Sequence, residues 1–113
     1  MSARVDREHP LVREVFPAFA RELTALLEAE GERDLALVAR DLRLVAECGC
    51  GDDFCQSFAT APHPKGQPFG AGHRCVPLPA EEGLLALDVL DGRIMYVEVV
   101  DRAPLRDGPG RPD

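Results

Sequence analysis

Between positions 11 and 30 the apolar residues Leu11, Val15, Phe19, Leu23 and Leu27 recur every four positions, and Val12, Phe16 and Leu26 widen them into one stripe. Residues four apart share a face of an α-helix, so this period predicts an amphipathic helix. Pro10 suits a first helical turn. Pro17 lacks the N–H that a helix interior needs, and so predicts either a kink or the true start of the helix. Gly31 is placed to end it, because glycine readily takes the left-handed conformation that follows a helix. A shorter repeat within 32–40, carried by Leu35, Val38 and Ala39, predicts a second helix.

From Leu42 the period falls to two. Leu42, Leu44 and Ala46 alternate with Arg43, Val45 and Glu47, which predicts a strand running into Cys48. Gly51, Asp52 and Asp53 are turn formers, and 54–61 predicts the returning strand. Three prolines and three glycines within 61–72 predict a loop. The run from Arg74 to Leu78 predicts an edge strand, since Pro77 and Pro79 cannot donate to a ladder on both sides. Finally, 84–90 and 93–100 flank Asp91-Gly92, the dipeptide that favours a type I′ turn. That turn sets Val89 opposite Ile94, Leu87 opposite Tyr96, and Ala86 opposite Val97. Both faces of this hairpin are largely apolar. It therefore belongs at the sheet centre, with helices on one face and a partner or a second copy on the other.

Helices first and strands after predict an α+β fold, with one or two N-terminal helices packed on a mostly antiparallel sheet of about five strands. The 113 residues form a single domain over 1–102, followed by a Pro-, Gly- and charge-rich tail at 103–113 that reads as disordered.

Charge narrows the function classes. A net charge of −7 and only one lysine, Lys65, argue against nucleic acid or an anionic membrane surface as partner, because both demand a basic patch. If the charge selects a partner, that partner is basic. The N-terminal stretch has mixed charge and no apolar core of a signal peptide, and no apolar run reaches the ~18 residues of a membrane span, so the expected compartment is the cytoplasm. Cysteines there are normally reduced thiols, metal ligands or redox groups.

Three of the four cysteines fall within 48–55, where the segment ECGCGDDFC reads as a hairpin. With Asp52 and Asp53 as the turn, Cys50 lies opposite Cys55 and Cys48 lies two residues back on the same face. Opposed thiols can share a metal, and soft thiolates favour zinc, which takes four ligands in a structural site. Cys75 is the remaining cysteine, and His73, two positions before it on an extended strand, points the same way. The expected zinc set is thus Cys48, Cys50, Cys55 and Cys75, with His73 as the alternative fourth ligand. The spacing is irregular for zinc, so two other readings stand beside it: buried or surface thiols, which behave as small hydrophobes, and a disulfide or redox pair of Cys50 and Cys55. Adjacent acids at a hairpin tip are turn residues far more often than a catalytic pair. Glu98, inside an apolar strand, is a candidate buried acid. No phosphate loop, nucleophile elbow or His-Glu metalloprotease motif is present.

The segments CGCGDDFCQSFATAP, GHRCVPL and LDVLDGRIMYVEVVDR resemble a family of small uncharacterised bacterial proteins that share a C-x-C-G-D-D-F-C hairpin followed by a D-G-R-I hairpin. The resemblance covers roughly residues 11–102 and includes Cys48, Cys50 and Cys55, with Gly72, His73 and Arg74 in the later segment. It implies a bacterial cytosolic protein and no known activity. The sequence thus favours a small binding or interaction module with a structural cysteine hairpin, with or without zinc, over a thiol-based redox enzyme or sensor using Cys50 and Cys55.

Overall fold

A computed structural model describes residues 9–47, 55–62, 68–80, 82–102 and 105. Three helices precede five strands in the chain: α1 Val12–Val15, α2 Pro17–Ala29, α3 Arg33–Ala39, β1 Ala46–Glu47, β2 Phe58–Ala59, β3 His73–Leu78, β4 Leu84–Leu90 and β5 Arg93–Val100. The strands form one antiparallel sheet in the order β1-β2-β5-β4-β3. This is the α+β architecture expected from the pattern.

Pro17 decides how the first helical stretch divides. It occupies the first turn of α2, where its missing N–H costs nothing, and α1 is a separate single turn ending at Phe16. Gly31, at φ +80°, closes α2. Its N–H donates to Glu28 O, and the Glu32 N–H donates to Leu27 O, the paired bonds of a Schellman end. That turn brings α3 back antiparallel to α2, and α3 lies on β5.

The core fills the space between helices and sheet. Phe19, Leu23 and Leu27 of α2 and Leu35, Ala36 and Ala39 of α3 pack with Val76 and Leu78, Leu85, Leu87 and Val89, and Ile94, Val97 and Val99. Phe58, 1% exposed, ties the short β2 into this layer: its ring meets Phe16 at 5.8 Å and Phe19 edge-on at 6.2 Å. Beyond β5, the Arg102 guanidinium lies over the Phe19 ring at 5.8 Å and donates to both carboxylate oxygens of Glu22. Leu105 sits in the core at 9% exposure and donates its N–H to Gln56 Oε1.

Two details of the strands differ from expectation. The alternation that starts at Leu42 is buried only through Leu44, and Ala46 is already exposed. The cause is a split in pairing. Residues 42–44 bond back to the entry of α1, with Leu44 N–H donating to Pro10 O and Val12 N–H to Leu42 O, and the ladder with β2 begins only at Ala46. In the last hairpin Asp91 (φ 52°) and Gly92 (φ 83°) make the expected I′ turn, and Val89 faces Ile94. Past that pair the register slips by one, because Met95 is an extra residue on β5. Leu87 therefore faces Val97 rather than Tyr96, and Ala86 faces Glu98. The bulge keeps Val97 and Val99 on the core side, in step with Leu87 and Leu85.

Candidate functional site

The helices cover one face of the sheet, and the alternation of the strands places a second set of side chains on the other. On β4 these are Leu84, Ala86, Asp88 and Leu90; on β5, Tyr96, Glu98 and Val100; on β3, His73, Cys75 and Pro77. Leu84 is 48% exposed, and Leu90, Tyr96 and Val100 are half-buried. A solvated face of an antiparallel sheet normally alternates to polar residues. This one is mostly apolar, with two carboxylates at its centre.

Those carboxylates anchor a chain of titratable groups across three strands. Asp88 stands opposite Tyr96 and diagonal to Glu98. Burial, then the neighbouring Asp88 carboxylate, push the Glu98 carboxyl above its ordinary range. From the other side, His73 Nε2 lies 2.9 Å from Asp88 Oδ1, a bond that an ionised Asp88 can only accept, so Nε2 carries the hydrogen. The Phe69 ring stacks on His73 at 4.9 Å and holds the imidazole plane. Among the described residues no Arg or Lys ion-pairs with Asp88 or Glu98. Arg74, the neighbour of His73, points to the helix side instead and makes a two-pronged bond to Glu32.

Cys75 stands directly opposite Asp88 and is an exposed free thiol. Burial of the sulfur, Asp88 and Glu98 all push its pKa up. The site therefore disfavours thiolate at Cys75, which argues against a nucleophilic role despite the nearby His73.

The structure separates the expected zinc ligands. Cys48 and Cys50 lie outside the described residues. Cys55 is half-buried, pairs with Val100 of β5, and has its sulfur 3.6 Å from Ser57 Oγ. Val100 faces Leu84, whereas Cys75 faces Asp88 and His73 faces Leu90, all on β4. With strands ~4.8 Å apart and a rise of ~3.3 Å per residue, Cys55 and Cys75 are roughly 20 Å apart, and His73 is farther. Zinc draws each sulfur to ~2.3 Å, so neither Cys75 nor His73 closes a shell around Cys55. Among the described residues no group of three His, Cys, Asp or Glu side chains is arranged to hold a metal. At the base of the expected cysteine hairpin, Glu47 of β1 pairs with Phe58 of β2.

No known family, curated protein or solved structure matches this chain. No helix among the described residues is long and apolar enough to cross a membrane. The helix layer carries one further concavity, a cleft of about 500 Å³ beside α2 lined by Arg13, Arg21 and Arg40 together with Glu14 and Glu28. Its charges nearly cancel, and Arg13 is already committed to Arg40 O and Asp41.

Asp88 is the functional candidate that the pattern did not single out. It and Glu98 are the lone charged positions inside the runs LLALDVL and IMYVEVV, a signal visible in the sequence once the two strands are known to be neighbours.

Proposed function

We propose that this chain is a small binding module that engages a protein partner through the sheet face turned away from the helices. One observation carries the reading: that face presents Leu84, Leu90, Tyr96 and Val100 to the side that no helix among the described residues covers. Apolar side chains of this kind, turned to the uncovered side of a sheet, mark interaction sites. Asp88 and His73 hold each other, and the Cys75 thiol is held protonated. The cysteine hairpin then serves the fold, and a zinc ion on Cys48, Cys50 and Cys55 takes its fourth ligand from a group other than Cys75 or His73. A bacterial cytosolic setting, as the resemblance implies, keeps such thiols reduced.

Site-specific photo-crosslinking in cells tests this. A photoreactive residue in place of Leu84, on the uncovered face, gives a discrete protein adduct. The same residue in place of Leu37, 64% exposed on α3, gives none. Equal adducts from both positions, or none from Leu84, overturn the reading.

The β1–β2 register favours a second reading, a redox pair of Cys50 and Cys55. Thiol titration with metal analysis separates the two. Bound zinc with slowly reacting thiols supports the structural hairpin, and metal-free protein with two thiols lost on mild oxidation supports the redox pair.

A further inference from the structure

We propose that the segment of the partner seated on this face is basic, an extended stretch of apolar residues bearing an arginine that pairs with Asp88 and Glu98. This rests on the sheet face being the interaction surface. Charge complementarity carries it. The chain has a net charge of −7. On the face itself the two acids sit among Leu84, Ala86, Leu90 and Val100, with His73 as the one side chain of a basic residue bonded to either among the described residues. The other groups that face them are Cys75 from β3 and Tyr96 from β5, and neither brings positive charge at neutral pH. Arg93 stands beyond them at the hairpin tip, opposite Leu90.

Asp88 and Glu98 stand diagonally on adjacent strands, near enough for one planar cation to meet both. A guanidinium laid across the face does so. Its planar fork presents parallel N–H donors to two carboxylates, which an ammonium does not. The apolar neighbours lower the local dielectric and strengthen the pair. A second copy of this chain fits less well, since a two-fold packing of the same face brings two acid pairs together.

Peptide binding to the full chain tests the proposal by fluorescence anisotropy. The probes are an extended peptide alternating valine with arginine, the same peptide with citrulline, which keeps the shape and loses the charge, and the same peptide with glutamate. The arginine peptide binds at least about tenfold more tightly than the citrulline peptide, and added salt weakens it. Glu98→Gln with Asp88→Asn abolishes that preference while circular dichroism shows the fold retained. Equal affinity for the arginine and citrulline peptides overturns the basic partner while leaving the apolar face as an interaction surface. So does a preference that survives the double substitution. A dimer in sedimentation at micromolar concentration that Leu84→Glu dissociates also overturns it, because the second copy is then the occupant. Failure of the face itself shows up separately, as the absence of adducts from position 84.

Discussion

Glu98 stands diagonal to Asp88 across the β4–β5 pair, one step from the Asp88–Tyr96 register. The Met95 bulge creates this meeting. Without it Asp88 faces Met95, Leu87 faces Tyr96, and Glu98 falls opposite Leu85, on the opposite face of the sheet from Asp88. A single inserted residue thus sets both the packing of the core face and the chemistry of the outer one.

Proton linkage follows from the burial of Glu98 beside Asp88. The folded chain holds the Glu98 proton more tightly than the unfolded chain, where the carboxyl titrates near ~4.3. The folded state therefore binds more protons, and this group's contribution is fully present below the unfolded value and is lost as pH rises through the raised folded value. Glu98→Gln keeps the shape and removes the titration. Urea midpoints of the two proteins between pH 4.5 and 8 then diverge, with Glu98→Gln gaining relative to the parent as pH rises. Parallel curves contradict the assignment. The exposed Arg74–Glu32 pair acts in the opposite sense: the bond to Arg74 lowers the Glu32 pKa, so its contribution is lost as pH falls through the folded value.

Gly83 is the most constrained turn position between β3 and β4. It has φ +72°, and a Cβ there collides with the backbone oxygens of Val100 and Asp101, which cannot swing away as a side chain can. Gly92, at φ +83° in the I′ turn, has open space where a Cβ would go. Gly92→Ala bears the left-handed penalty alone, about 1–2 kcal/mol. Gly83→Ala adds a steric displacement of β5 and costs more than Gly92→Ala, about 2–4 kcal/mol in all by urea unfolding. Equal losses at the two positions contradict the steric argument.

Phe58 is the main apolar link between the two-residue β2 and the helices, through Phe16 and Phe19. Phe58→Ala opens a cavity there and costs about 3–5 kcal/mol. A domain of this size is stable by only about 5–15 kcal/mol, so a large drop in thermal midpoint is expected in a calorimetric scan. A loss below ~1 kcal/mol contradicts the central place given to this ring.

How much of this was legible in the sequence depended on how local each feature is. The helix period, the α2 stop at Gly31 and the Asp91-Gly92 turn are encoded within a few residues, and all three stand in the structure. Pro17 carried two readings, and only packing chose the helix start. Met95 looks like any apolar strand residue, so the bulge and the Asp88–Glu98 contact were hidden. The expected meeting of Cys55 with Cys75 or His73 fails for a non-local reason. His73 and Cys75 lie close after the cysteine hairpin in sequence, but β5 and β4 intervene between β2 and β3, which carries Cys75 to the far edge of the sheet. Strand order is a property of the assembled core, and no spacing within one strand encodes it.

That far-edge position gives Cys75 a reactivity unlike its exposure. The thiol is accessible, yet desolvation of the sulfur and the Asp88 and Glu98 charges hold it protonated. Alkylation proceeds through the thiolate, so the rate at neutral pH follows the thiolate fraction. Cys75 therefore reacts with iodoacetamide at pH 7.5 more slowly than a free cysteine in a short peptide. Asp88→Asn removes the nearest negative charge and lowers the thiol pKa, and the rate rises severalfold. Peptide-resolved mass spectrometry over a time course reads this directly, with the denatured chain as the reference for intrinsic reactivity. An unchanged rate in Asp88→Asn, with the native fold intact, means that desolvation alone governs the thiol and that the Asp88 carboxylate does not act on it across the β3–β4 pair.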